Sequence, residues 1–469
     1  MTAQDDLLSL DQIVTRARVA QDDFEKSGNQ ARYDAAAQAV AWAIMEPSRN
    51  LALAELSVQT TGLGNVADKV TKNHRKTLGL MRDIADAKTH GVIADDAETG
   101  ITEIARPIGV IGAIVPSTNP AATPANNIIN ALKCGNAIVV APSPKGIAAC
   151  ELLLQNIHAE FAKIGENPDL VQMIPAPGSK EKTQRLMQTV DRVIATGSQN
   201  NVQRAQTCGT PAVAVGAGNV TVIVDETADL AAAAAKITAS KTFDNATSCS
   251  TENALVVVDA IYDQFIAAMA AEGGALVKAD QAPGIISKLW PEGHLNRAVI
   301  AQDADKMLVA LDMADQVPEG TKFLAVETDG IGAEHPLSGE KLSRVVALYR
   351  ARDFDDAAAT VGRILGHMGA GHSVGIHSTD ADRIMSLGDT IPTCRVIVNQ
   401  AHCFATGGAF NNGLPFSLSM GCGSWGGNAI DENLSYKHFM QTTKIVREIP
   451  AREPALDEIF GTYWATAGK

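Results

Sequence analysis

No run of about 18 apolar residues occurs in this 469-residue chain, so no transmembrane helix is expected. Cysteine is sparse: seven residues, at 134, 150, 208, 249, 394, 403 and 422, an odd number with no CxxC pair. That pattern signals neither a disulfide framework nor a zinc site. No two histidines stand four residues apart around a glutamate, so no metal ligand set is expected. Free thiols fit a reducing compartment, and a cytoplasmic location follows as the expectation. The opening MTAQDDLLSLDQ is acidic and lacks the apolar segment of a secretory signal. Basic blocks are missing too. The chain has 39 Lys and Arg against 53 Asp and Glu, a formal charge of −14, so no nucleic-acid partner is expected. A small anionic ligand is not excluded, because it needs only local donors. No GxGxxG follows a strand, so the common dinucleotide fingerprint is absent.

What is present describes a globular protein, with 46% hydrophobic and 20% charged residues. The length exceeds one ordinary core and implies two or three domains. Residues 1–90 read as helices: Ile13, Ala17, Ala20 and Phe24 recur at helical spacing, as do Ala36, Val40, Ala43 and Ile44, with a break at Gly62 and Gly64. From 101 onward short apolar runs alternate with helical stretches. GVIGAIVP (109–116), AIVVAP (137–142), RVIAT, VTVIVD (220–225), ALVVVD (254–259), VVALYRA (345–351), VGIHS (374–378) and RVIVNQ (395–400) read as buried strands. Strands separated by helices mean βαβ units and parallel sheets covered on both faces, an α/β fold with a boundary near 225. Residues 409–433 are Gly-rich and loop-like, and 444–449 alternate like an edge strand.

Five stretches carry candidate chemistry. FDNATSCSTEN (243–253) sets Cys249 among hydroxyls between a helix and a strand, where a nucleophile and a packed core sulfur are about equally expected. VIATGSQNNVQRA (193–205) is a strand, a Gly197-Ser198 turn and a helix, suited to a phosphate or to a simple Ser198 N-cap. VPSTNPAATPANN (115–127) offers Thr118 and Asn119 as donors to a developing oxyanion, or is only a turn before Pro120. GAGN (216–219) precedes a strand and permits close backbone approach; His372, in GAGHS, is the histidine best placed to face a cleft.

Together ADKVTKNH (67–74), RPIGVIGAIVPSTNP (106–120), ATG (195–197), AVGAGN (214–219), DETADL (225–230), SKTFDN (240–245), EKLS (340–343), LYRARDFDDA (348–357) and SMGCGSWGGNAIDENL (419–434) resemble the aldehyde dehydrogenase superfamily over essentially the whole chain. They look most like its CoA-acylating branch, and NQAHCFATGGAFNNGLPFSLSMGCGSWGGN looks most like acylating sulfoacetaldehyde dehydrogenases. The resemblance implies two three-layer α/β domains plus a small oligomerisation arm: a cofactor domain over 1–218, a catalytic domain over 219–408, and a returning segment with the arm over 409–469. It implies that Cys249 attacks the aldehyde, that its N–H and a donor from Thr118 or Asn119 hold the oxyanion, and that CoA removes the acyl group. The glutamate that activates water in hydrolytic relatives aligns with Val215, which disfavours hydrolysis. The ribose-selecting glutamate aligns with Pro144; Ser143 and Lys145 beside it suit a 2′-phosphate, so NADP or NAD is expected. Pro116, Gly197, Ser198, Gly216, Gly218, Glu340 and His372 complete the implied cofactor set. A sulfonate needs cations or N–H donors, for which Arg395, His402 and Lys437 are candidates. Acetaldehyde, propionaldehyde or succinate semialdehyde are alternative substrates, and a hydrolytic enzyme giving the free acid is the alternative activity. A homodimer or homotetramer is expected.

Overall fold

The computed structural model describes residues 3–216 and 218–469; Ala217, inside the GAGN stretch, lies outside them. Four helices open the chain, Ala3–Lys26, Gln30–Met45, Pro47–Thr61 and Val66–Ile84. Their ends are set locally. The Asn29 and Asn65 side chains accept the N–H three residues on, and Gly62, at φ 70°, closes the third helix in the left-handed conformation.

A five-stranded parallel sheet follows, in the order Val171–Met173, Ala137–Pro142, Val110–Val115, Arg192–Thr196, Ala212–Val215. The strands at 110–115 and 137–142 are buried along their whole length, which is why they read as unbroken apolar runs. The chain starts at the central strand 110–115, winds outward to one edge, then returns to build the other side. The switch point therefore lies between strands 110–115 and 192–196, and a crevice opens where the loops after them diverge.

The second sheet has seven parallel strands, ordered Gly274–Val277, Phe323–Glu327, Val345–Ala351, Glu252–Val258, Val220–Val224, Val374–His377, Val396–Val398. One buried core draws on residues between Leu10 and Ala214 and also takes Phe416, Leu434 and Phe439. The other runs from Val220 to Ile391.

A third, antiparallel sheet pairs Gly91–Asp96 with Ile101–Pro107 and that strand with Met440–Val446. Sequence reasoning missed the 91–107 hairpin, whose first strand is largely exposed. It also set the C-terminal strand at 444–449. Pairing instead runs from Met440 opposite Pro107 to Val446 opposite Ile101, and stops where the partner strand stops. The unforeseen helix Leu456–Ala467 has no buried residue, with Leu456, Ile459 and Tyr463 at 66%, 59% and 65% exposure. Among the described residues no helix is long and apolar enough to cross a membrane, and no group of three His, Cys, Asp or Glu is placed to hold a metal ion.

Candidate active site

Cys249 stands at the N-terminal edge of the seven-stranded sheet, just before strand Glu252–Val258. Its loop is wound by Asp244, Asn245 and Ala246, with φ of 47°, 54° and 61°. Asp and Asn tolerate this left-handed region better than most residues, yet three in succession need outside support. Helix Val66–Ile84 supplies it. The Asp244 N–H donates to Asp68 (2.7 Å), and the Asp244 carboxylate accepts from the Asn65 N–H (3.0 Å), Lys69 Nζ (3.1 Å), Lys72 Nζ (2.5 Å) and Thr247 Oγ1 (2.7 Å). The Asn245 amide oxygen accepts from Arg344, and its amide nitrogen donates to Asp303 (2.9 Å).

The loop opens onto a cavity of about 440 Å³. Pro116, Thr118 and Asn119 line it from the loop after strand 110–115, and Gly197 and Ser198 from the turn after strand 192–196. Gly216, Cys249 and Glu340 share the same cavity, so eight of the sequence-predicted residues converge at the switch point. Lys72 Nζ donates to Asn119 Oδ1 (2.9 Å), which commits the amide oxygen; the amide nitrogen donates one N–H to Thr118 Oγ1 (3.5 Å) and keeps the other for the cavity. Thr118 is held by its carbonyl, which accepts from Lys69 Nζ at 3.0 Å. Gly218 lies against the nucleophile candidate: a Cβ there would fall 2.3 Å from the Cys249 carbonyl oxygen. Val215 is buried at the end of its strand, and its carbonyl accepts from the Gly197 N–H (3.4 Å).

The residues expected to contact the adenosine side form a short turn after strand 137–142, with Pro144 and Lys145 exposed. Ser143 Oγ is buried without a hydrogen-bond partner among the described residues. Among the described residues the turn thus offers an unsatisfied hydroxyl and a lysine without an ion pair, donors of the kind that a ribose and a 2′-phosphate need.

Burial, and next the Glu340 carboxylate, push the Cys249 thiol up to about 12. Glu340 is itself lifted by burial to about 8, although Lys341 and a hydrogen bond from the Gly218 N–H oppose the shift. The resting thiol is therefore neutral near pH 7. Replacing Glu340 with glutamine removes a charge that opposes the thiolate. Above pH 8, alkylation of Cys249 by iodoacetamide should speed up by roughly 2- to 10-fold, and its pH profile should move to lower pH. A profile that stays put or moves upward would contradict this electrostatic coupling.

His372, Arg395, His402 and Lys437 are placed differently from expectation, because none lines the cavity. Arg395 is buried, and its guanidinium donates to the carbonyls of His372 (2.8 Å), Gly421 (2.9 Å) and Asp431 (3.2 Å) and to the Asn433 side chain (3.1 Å). His402 is buried behind the Cys249 loop, with Nδ1 3.0 Å from the Ser250 carbonyl and 2.9 Å from Thr406 Oγ1. His372 is buried beside Gly218, its Nδ1 2.8 Å from Ser373 Oγ. Burial lowers His372 to about 3 and His402 to about 4, so both are neutral. Lys437 is exposed in the short turn Tyr436–Phe439.

Sequence reasoning missed the cations that do line the cavity, Lys72, Arg75 and Lys76. Their spacing with Lys69, at i, i+3, i+6 and i+7, was the available signal, since it places all four on one side of helix 66–84.

The aldehyde dehydrogenase family model matches residues 3–283. The acylating sulfoacetaldehyde dehydrogenase of Cupriavidus necator is 54% identical over 457 residues, which span 97% of this chain and 92% of that protein. The crystal structure of an acetylating aldehyde dehydrogenase from Geobacillus thermoglucosidasius superposes with a TM-score of 0.91 at 30% identity, covering 96% of this chain and 99% of that one. A propionaldehyde dehydrogenase from Rhodopseudomonas palustris, solved with bound CoA and an acylated cysteine, gives 0.82 at 26% identity over 93% and 97%.

Proposed function

This chain belongs to the aldehyde dehydrogenase family, and on that footing we propose that it reversibly converts sulfoacetaldehyde, CoA and NAD(P)+ into sulfoacetyl-CoA, NAD(P)H and a proton. The observation that carries the proposal is the convergence of Cys249, Asn119 and the 197–198 turn on one cavity, with the apolar Val215 at the end of the neighbouring strand. In the oxidative direction the Cys249 sulfur bonds to the carbonyl carbon, and its proton passes to water as the proton that the overall reaction releases. Asn119 Nδ2 and the Cys249 N–H hold the oxygen as it gains charge. Lys72 fixes the amide for that task by occupying its oxygen. A bound nicotinamide dinucleotide supplies the hydride acceptor; Gly197, Ser198 and Glu340 would hold its nicotinamide half, and Ser143 and Lys145 its adenosine half. Loss of the carbonyl hydrogen as hydride leaves a thioester on Cys249. The CoA sulfur attacks that carbonyl, and Cys249 departs as the thiol. The exchange of thioester for thioester makes the sequence reversible. Val215 offers no base to water, so an external thiol is favoured.

Mass spectrometry of the product formed from sulfoacetaldehyde, CoA and either NADP+ or NAD+ tests the reading. Sulfoacetyl-CoA is expected with at least one of the two; sulfoacetate alone would overturn the acylating assignment.

We further propose a homo-oligomer in the cytoplasm. Strand Met440–Val446 has a free edge in the single chain, and the adjoining helix Leu456–Ala467 exposes apolar side chains that a second copy would cover. Light scattering gives the answer directly, and a monomeric mass would refute it.

A further inference from the structure

Two of the cavity's cations have no carboxylate. Lys72 pairs with Asp244, a carboxylate it shares with Lys69, but among the described residues neither Arg75 nor Lys76 forms an ion pair. Lys76 is 7% exposed and donates only to the carbonyls of Gly407 (2.5 Å) and Ser417 (3.1 Å). Arg75 donates through one nitrogen to the carbonyls of Phe404 (2.8 Å) and Gly408 (3.2 Å) and packs against the rings of Phe404 and Phe416. Burial, and next Arg75, lower Lys76 to about 7. Lys76 is buried and Arg75 partly so, and cations enclosed without a counter-charge are costly, so an anion entering the cavity would gain a partner at both.

Their placement is built in. A Cβ at Gly407 would fall 2.5 Å from Lys76 Nζ and 2.6 Å from the Ser417 carbonyl, so only glycine leaves room for the ammonium there. Lys76 and Cys249 line the same cavity. Arg75 also forms part of the wall of a second, more open cavity of about 470 Å³, lined by Lys236, Gln400, Phe404 and Phe410. Lys236 likewise has no carboxylate partner among the described residues. The guanidinium thus lies between an outer basin and the chamber that holds the thiol.

We propose that Arg75 and Lys76 bind the anionic group of the aldehyde and make this enzyme selective for short aldehydes that carry a sulfonate or carboxylate, with Lys236 drawing them into the outer basin. The inference rests on the aldehyde dehydrogenase reading above. A nucleotide phosphate suits Lys76 less well than the aldehyde's own anionic group, because the ammonium is buried in the wall of the chamber that also holds Cys249. The anion's oxygens would accept from the remaining guanidinium N–H groups and the ammonium, the charge-assisted pairing that carboxylates and sulfonates favour.

The test compares sulfoacetaldehyde, succinate semialdehyde and propionaldehyde as substrates for the wild type, Arg75→Leu and Arg75→Lys, with CoA and the preferred dinucleotide. Arg75→Leu should lower kcat/KM for the anionic aldehydes by about a hundredfold, mainly through KM, and for propionaldehyde by less than about fivefold. Arg75→Lys should recover part of the loss. In the wild type, 2-hydroxyethanesulfonate should compete with propionaldehyde. An equal loss for charged and neutral aldehydes, a rise in the KM for CoA instead, or no competition by the sulfonate would each overturn the proposal. Sulfoacetaldehyde and succinate semialdehyde differ in length, so their ratio shows which anion the pair reads. Wild-type oxidation of propionaldehyde alone, with none of the anionic substrates, would defeat this inference and leave the acylating reading standing. Failure with all three aldehydes would defeat the reading itself.

Discussion

Replacing Cys249 with alanine is expected to lower acyl-CoA formation by at least about 10³-fold while leaving the protein folded. Two cysteines line the cavity, Cys249 and Cys403, and the fold treats them differently. Cys403 sits in the short helix His402–Ala405, is 7% exposed, and has its N–H bonded to Ser240 Oγ (2.9 Å). Cys249 lies in a loop and keeps part of its surface open to the cavity, beside Gly218 and within the same chamber as Asn119. The loop is held by Asp244 and Asn245, not by the sulfur, so removing the sulfur should change stability by less than about 1 kcal/mol. The matching Cys403→Ala variant should lose less than about tenfold in activity. Steady-state kinetics on the two variants decides; an active Cys249→Ala and an inactive Cys403→Ala would reverse the assignment.

The largest stability effect belongs to Asp244→Ala. Burial alone would raise this carboxyl, but Lys72 and Lys69, with hydrogen bonds from Lys72 and Thr247, outweigh it and hold it below the usual carboxylate range. Asp244 is wholly buried. Removing it strands two buried ammonium groups and frees a left-handed turn from its anchor, at a cost of about 3–5 kcal/mol. The nucleophile's loop should loosen with it, so activity should fall even in the protein that remains folded. Denaturant unfolding of the wild type and Asp244→Ala measures the difference, and a change under about 1 kcal/mol would contradict the anchoring role. The pH dependence has a definite sign. A carboxyl whose folded pKa is depressed contributes stability above its unfolded pKa and loses it as pH falls through the folded value. The wild type should therefore lose the contribution of Asp244 only below the ordinary carboxylate range, and the variant should show a shallower acid dependence there.

Much of this site was legible because its parts sit at strand ends. Buried parallel strands announce themselves as unbroken apolar runs, and the loops that follow them, at 116–119 and 197–198, had to open at a switch point. Cys249 was marked by the polar loop around it and by its resemblance to a known nucleophile. What could not be read was the burial of polar residues. A row of lysines and an arginine along helix 66–84 looks like a solvated face until packing against Asp244, Phe404 and Phe416 encloses it. The opposite error befell Arg395 and His402. Both lie in the segment expected to line the substrate pocket, but their hydrogen bonds run to backbone carbonyls that brace the Cys249 loop and the 421–433 segment. Thr118 and Asn119 could not be told apart in sequence for a related reason, since only packing shows that Lys72 engages the Asn119 amide oxygen and that the Asn119 amide nitrogen donates to Thr118 Oγ1.

The central claim is that the acyl group on Cys249 waits for CoA instead of water. Rapid mixing of the enzyme with sulfoacetaldehyde and the preferred dinucleotide, first without CoA and then with it, measures this most directly. A burst of about one reduced dinucleotide per Cys249, followed by near arrest until CoA is added, is the predicted result. Steady reduction at the same rate with and without CoA would contradict it.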